Sequence, residues 1–225
     1  MALLRQRRWV AAQGLCNSRT NGGRSRTNDP IQNGRCQLAF KAMGRLDSDS
    51  HAVLLDGSTV LLRRLDSGDF EEVVGLAETL TEEECYRRFF TLHPADLKAW
   101  AWSLTERSSD QYALGAFDSG ALVGVANYFT CKPPDYAEVA VVVAHNEHLR
   151  GVGTALLRQL GLVARQNGLH HFVADILAEN YPMLQVMSDA GWRFKRRLDG
   201  SVLEVDFDLD NVESPQVPQT RAFGL

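Results

Sequence analysis

The sequence predicts a mixed α/β (α+β) domain: one central, mostly antiparallel sheet of about seven strands, flanked by helices. Three observations carry that prediction. Residues 136–157, YAEVAVVVAHNEHLRGVGTALL, read as a buried strand, a turn and a glycine-bearing entry into a helix. Val139, Val141, Val142 and Val143 form the β-branched run of a strand covered on both faces, and Ala155, Leu156, Leu157 and Leu160 recur at helical spacing. Two hairpin signals follow from Ser119-Gly120, between apolar runs at 112–118 and 121–130, and from Asp199-Gly200, between 192–198 and 201–209. Finally, the strand at 171–177 follows the strand at 136–143 across a helical stretch, so the two are expected to lie parallel and adjacent through a right-handed crossover.

The elements in order begin near Gly57. Residues 59–65 (TVLLRRL) are a candidate strand, and Asp66-Ser67-Gly68-Asp69 is a turn that caps a helix from about 70 to 80. Thr81 and Glu84 have the spacing of a capping box and start a helix over 82–90. Tyr86, Phe89 and Phe90 are expected on its inner face, with Glu82, Glu83 and Glu84 solvated in its first turn. Pro94 opens a further helix, roughly 95–107, turning Leu97, Trp100 and Leu104 inward. After the hairpin, 131–135 (CKPPD) breaks the chain before the 136–143 strand. The helix over 153–167 is closed by Asn167-Gly168, and a short helix over 180–190 ends at Gly191.

Flanking segments divide the chain into 1–50, a domain at 51–209, and a loose tail at 210–225 with two prolines. Residues 1–50 carry nine basic and three acidic side chains, a charge of +6; the rest then holds 15 basic and 25 acidic, a charge of −10. Three readings of that basic segment stand side by side: a disordered tail, an organelle transit peptide, and a start placed ahead of Met43. The acidic remainder argues against a nucleic-acid surface and suits a cationic partner. Cys16, Cys36, Cys85 and Cys131 are scattered without Cys/His pairing, so no metal site is expected and a reduced, cytoplasmic setting is. No apolar run is long enough for a membrane span, and no secretory signal is read at the N-terminus.

A glycine-rich turn leading into a helix presents unpaired N–H groups at the positive end of the helix dipole and can seat a phosphate; an ordinary tight turn has the same residues. The wider pattern adds to this. His148-Leu149-Arg150-Gly151-Val152-Gly153, followed by Thr154-Ala155-Leu156-Leu157, resembles the Arg/Gln-x-x-Gly-x-Gly/Ala signature of the GNAT acyltransferase superfamily, with His at the first position. A second signature lies in Asn180 and Gly191-Trp192, and the resemblance covers about residues 58–208. Within the superfamily, 80–90, 137–140 and 173–180 resemble bacterial protein lysine acetyltransferases that modify acyl-CoA synthetases.

The resemblance implies acetyl-CoA as acyl donor. Its pantetheine arm is expected on the backbone of Val141, Val142 and Val143, where the two parallel strands splay. The pyrophosphate is expected on Leu149, Arg150, Gly151, Val152, Gly153 and Thr154, with Asn180 at the cofactor or the nearby backbone. The N–H of Val141 or Val142 is the implied oxyanion donor. A lysine amine, with a pKa of about 10.4, must lose a proton first. Glu138 interrupts an apolar strand at the sub-family's base position and is the candidate catalytic residue, with Asp175 the alternative. Met187 replaces the Tyr that protonates the leaving thiolate in many relatives; Tyr128 and Tyr181 are the possible substitutes and otherwise packing residues. His145, His148 and the run Lys195-Arg196-Arg197 are taken as solvated, and His170 and His171, at the opening of a strand, are assigned no role. The acceptor implied is a protein lysine, on an acyl-CoA synthetase for example. The alternatives are a small amine of the aminoglycoside or polyamine type, and a non-catalytic module that senses acyl-CoA.

Overall fold

The computed structural model describes residues 49–91 and 96–210. The expected 1–50 tail, but for its last two residues, Pro94 and the tail from 211 lie outside them. Eight strands form one sheet: β1 (Ser50–Val53), β2 (Thr59–Arg64), β3 (Gln111–Asp118), β4 (Ala121–Thr130), β5 (Tyr136–Val143), β6 (His171–Leu177), β7 (Arg193–Asp199) and β8 (Val202–Asp208), in the order β1-β2-β3-β4-β5-β6-β8-β7. Among the described residues five helices accompany it: α1 (Phe70–Glu78), α2 (Glu82–Phe89), α3 (Leu97–Thr105), α4 (Val152–Gln166) and α5 (Tyr181–Ala190). All pairings are antiparallel except β5 with β6.

The expected class and parallel pair are therefore present, with one strand more than expected. The addition is β1, a four-residue edge paired to β2 within a stretch too short and polar to show a period. Local chemistry accounts for most boundaries. Ser119 and Gly120 both take positive φ, 51° and 89°, and turn β3 into β4. The second hairpin is displaced by one residue from its expected turn: Asp199 still pairs with Val202, leaving Gly200-Ser201 as the loop. Thr81 and Glu84 form the capping box of α2, while Asp96 caps α3 by accepting from the Ala99 N–H at 2.8 Å.

Two apolar clusters sandwich the sheet. On one face α4 and α5 press Leu156, Leu157, Leu160 and Met187 against Phe172, Phe207 and Trp192. On the other, α1 and α3 pack Val73, Leu76, Trp100 and Leu104 against Phe117, Val125 and Val142. Tyr86 is corrected from the core to the surface at 40% exposure; α2 instead turns Cys85 inward and packs Phe89 against the second cluster. The helix is thus rotated about one residue from the expected phase, and it ends at Phe90, which takes the left-handed region as C-cap.

Candidate functional site: a gap between two parallel strands

β5 and β6 pair over only three rungs, Tyr136 with His171, Ala137 with Phe172 and Glu138 with Val173. Beyond Glu138, β5 stays with β4 as far as Val143, and β6 stays with β8 as far as Leu177. The sheet therefore opens between Val139–Val143 of one strand and Ala174–Leu177 of the other. Backbone direction along β5 follows from two bonds at its ends. The Ala144 N–H donates to Val123 O at 2.9 Å and Tyr136 O accepts from the Cys131 N–H at 2.9 Å, so even-numbered residues face β4. Val139, Val141 and Val143 consequently turn their N–H and C=O toward the gap. Val142 is corrected: its backbone is directed to β4, opposite Val125, and its side chain lies in the α1/α3 cluster.

The turn from β5 into α4 lies at the wide end of this gap. Leu149 and Gly151 both take positive φ, 65° and 93°, and Gly151 is the N-cap of α4. The first N–H shown bonded back into the helix is that of Ala155, to Gly151 O at 3.0 Å. No side chain caps α4, whereas Thr81, Asp96 and Asn180 cap α2, α3 and α5. The N–H groups of Val152, Gly153 and Thr154 thus form an uncapped positive helix end, while their side-chain positions are buried. At Gly153 a Cβ would lie 3.2 Å from Val186, so α4 and α5 approach closely there. Asn180, itself buried, accepts from the Met183 N–H at 3.2 Å and caps α5.

The Arg150 guanidinium is engaged by side chains of the neighbouring loops. Nε donates to Asp56 Oδ2 at 2.6 Å, one terminal nitrogen to Glu147, and the other to Ser58 Oγ at 2.7 Å and Asp118 Oδ2 at 3.0 Å. These bonds, from Asp56 first, raise the arginine's pKa further. Hydrogen bonds from Ser58, then from Arg150, hold the Asp56 carboxyl down at about 2. Arg150 thus ties the turn to the β1–β2 and β3–β4 loops, which leaves its backbone to serve the turn. Leu55 N–H donating to Arg150 O at 2.9 Å strengthens the tie.

Glu138 sits on the last paired rung, half-buried, on the sheet face that carries α2. Arg88 approaches it from α2. That guanidinium donates to Asn127 Oδ1 at 3.3 Å and lies 5.1 Å from the Phe89 ring centre and 5.7 Å from that of Trp100. Burial pulls the Arg88 pKa down to about 10, and the attraction of Glu138 opposes the fall. Asp175 shares this face two residues past the last rung, opposite Glu204, which accepts from Arg197 at 2.6 Å. Met187 is 1% exposed and has no proton to give. Of its two possible substitutes, Tyr128 is a core residue: its hydroxyl accepts from Asn167 Nδ2 at 2.9 Å, and burial raises its pKa. Tyr181 is corrected from packing to surface at 73% exposure.

One grouping escaped the sequence. Glu84, expected in a solvated first turn, is 9% exposed and meets His145 and His148 of the β5–α4 connection. Two open concavities, of about 400 and 280 Å³, lie elsewhere, beside Leu61 and Phe117 and beside Phe70 and Trp102, and neither is lined by the gap residues.

Comparison with known proteins agrees with this geometry. Residues 74–192, just over half of the chain, match the Acetyltransferase (GNAT) family. The GNAT domain of S. lividans PAT is 31% identical, with 71% of this chain and 96% of that one covered and a TM-score of 0.66. A cAMP-binding acyltransferase from Mycobacterium smegmatis shares the fold at 20% identity and a TM-score of 0.52, over 85% of this chain and 57% of its own length. YncA from Salmonella typhimurium, solved with its cofactor acetyl-CoA, shares it at 18% identity and a TM-score of 0.56, over 71% of this chain and 99% of that one. With its profile match across the gap and the turn, and a relative of that identity over nearly its full length, the chain belongs to the GNAT acetyltransferase family.

Proposed function

We propose that this chain moves the acetyl group of acetyl-CoA directly to the side-chain amine of a protein lysine, with Glu138 as general base. The observation that carries the reading is the position of Glu138 on the last β5–β6 rung, with the opened strand edge immediately beyond it. The residues present fit the donor. Val141 offers a gap-facing N–H and C=O, and Val143 a gap-facing N–H, on which an extended pantetheine can lie as a short additional strand. The uncapped start of α4 suits the pyrophosphate, with Leu149 through Thr154 supplying the backbone. When bound, acetyl-CoA supplies an activated acyl carbon.

The chain's own residues then have three tasks. Glu138 takes the proton that an ammonium group must lose, directly or through water; neutralising an amine of pKa about 10.4 near neutral pH costs on the order of 4 kcal/mol. A base so placed contributes ~10²–10⁴-fold. The Val141 N–H faces the charge that develops on the acyl oxygen. Asn180 holds the start of α5 beside α4. The thiolate departs without a protein acid, which a thiol pKa of about 8.5 allows.

A protein lysine is favoured as acceptor by the 31% identity to the GNAT domain of S. lividans PAT, while the net charge of −10 over residues 51–225, from 15 basic and 25 acidic side chains, suits a protein lysine or a small cationic amine alike. The test is transfer from labelled acetyl-CoA to a panel of acyl-CoA synthetases, lysine peptides and small amines. Label is expected in protein lysines. Label confined to polyamines or aminoglycosides would reassign the acceptor, and label in none, with acetyl-CoA still raising the melting temperature, would make the chain an acyl-CoA sensor.

A further inference from the structure

From the convergence of Glu84, His145, His148 and the Val143 carbonyl we infer a site for a divalent transition metal of the Zn²⁺ type, at the junction of α2 with the strand and turn that border the gap. Three of the donor–donor separations are those a tetrahedral ion requires. With Zn–N and Zn–O bonds of about 2.0–2.2 Å, the donors of a tetrahedron lie roughly 3.3 Å apart. His145 Nδ1 is 2.9 Å from Glu84 Oε1, His148 Nε2 is 3.4 Å from the same oxygen, and His148 Nε2 is 3.1 Å from Val143 O. The ligating atoms of the three side chains all lie within 4.8 Å of one another. In the metal-free protein two of these edges, His145 to Glu84 and His148 to Val143 O, are spanned by hydrogen bonds.

Glu84 is prepared for the role. Its other oxygen, Oε2, accepts from the Thr81 N–H at 2.8 Å and the Thr81 hydroxyl at 2.9 Å, which fixes the carboxylate plane and aims Oε1 at the histidines. Burial opposes its charge, but the bonds from Thr81 and His145 outweigh burial and keep the pKa below the ordinary carboxylate value. The histidines are held three residues apart by the 3₁₀ turn His145–Glu147. Two imidazole nitrogens with two oxygens suit Zn²⁺, Co²⁺ or Ni²⁺ better than Mg²⁺ or Ca²⁺, which take oxygen sets. Four protein donors complete a tetrahedron, so the ion is a brace joining α2 to the turn and has no open position for chemistry. The Cys/His spacings used to exclude metals cannot reveal it, because Glu84 is 61 residues from His145.

The test is titration of the chelator-treated, untagged full chain with Co²⁺, followed by Zn²⁺, independent of acyl transfer. One equivalent of Co²⁺ should give the visible ligand-field band of a tetrahedral site, one equivalent of Zn²⁺ should displace it, and the melting temperature should rise. Glu84→Gln and His148→Ala should weaken binding by at least the ~10–100-fold that loss of an outer-shell partner costs. His145→Ala, on a 66% exposed side chain that burial does not require, gives the same reading if either of those fails to fold. His170→Ala, paired with Asp210 instead, should bind as the wild type does. Absence of the band at ~100 µM Co²⁺, an octahedral spectrum, or equal affinity in the His145→Ala chain overturns the proposal.

Discussion

The two arms of the sheet are built differently, although β5 and β6 join them into one. The first arm, β1 through β5, is packed on both faces, by α4 on one side and by α1 and α3 on the other. The second arm, β6, β8 and β7, uses one face: Phe172, Ala174, Ile176, Leu203, Val205 and Phe207 point to the α4/α5 cluster. Its other face holds the buried apolar pair Leu177 and Val202 at one end and is largely polar elsewhere, with His171 paired to Asp206 at 2.9 Å and Arg197 to Glu204 at 2.6 Å. A doubly packed arm holds its strand edge in place without help from the neighbour, so β5 keeps its extended shape where β6 leaves it. A singly packed arm leaves a polar surface beside that edge. The difference places an ordered backbone edge and titratable side chains at one seam.

The largest way to break this comparison is at the seam itself. Glu138→Gln is expected to lower turnover by ~10²–10⁴-fold while leaving the Kd for acetyl-CoA unchanged, because the edge beyond it belongs to the first arm. Steady-state rates together with calorimetric binding would show it, and a loss of affinity equal to the loss of rate would mean the two arms share one function. Next is Phe172→Ala, in the second arm's single core face. Phe172 is 0% exposed, and its truncation should cost about 3–5 kcal/mol in urea unfolding. A cost below about 1 kcal/mol would mean the polar face carries more of that arm than the packing implies. The smallest effect is expected at Asp56→Asn, on the loop that Arg150 ties to the turn. The Asp56 carboxyl falls from 3.8 to about 2 on folding, so its stabilisation is complete above pH 3.8 and drains away as pH falls toward 2. The variant should melt below the wild type near neutral pH, and the two should converge in that acidic window; a difference independent of pH would assign the effect to packing.

What the sequence made legible follows the range of the forces involved. β4, β5 and β6 have the bounds expected, because periodicity, Gly turns and β-branched runs are local. The Thr81–Glu84 box and the Gly191 stop were readable for the same reason. The corrections are long-range. Arg150 reads as a solvated or anion-facing residue until Asp56 and Asp118, 94 and 32 positions away, are brought to it. Glu84 reads as a first-turn acid until His145 folds back over α2. Val142 and its neighbours are indistinguishable by type, and only the ladder's parity with β4 separates the gap-facing residues from the others. Tyr86 and Cys85 differ by one helical position, and only the packing of α2 on the sheet decides which of them is buried.

The edges of the sheet extend the meaning of the seam. An open sheet can grow wherever a strand leaves its hydrogen-bonding side unpaired, and proteins discourage this at outer strands by making them short or charged. One border here is β1, four residues long; the other is β7, exposed along its whole length and carrying Arg193, Lys195, Arg196 and Arg197. Both borders therefore repel a further strand by brevity or by like charge. The interior opening between Val141 and Ala174 has neither defence, so the unprotected strand edge of this sheet lies in its middle and not on its rim.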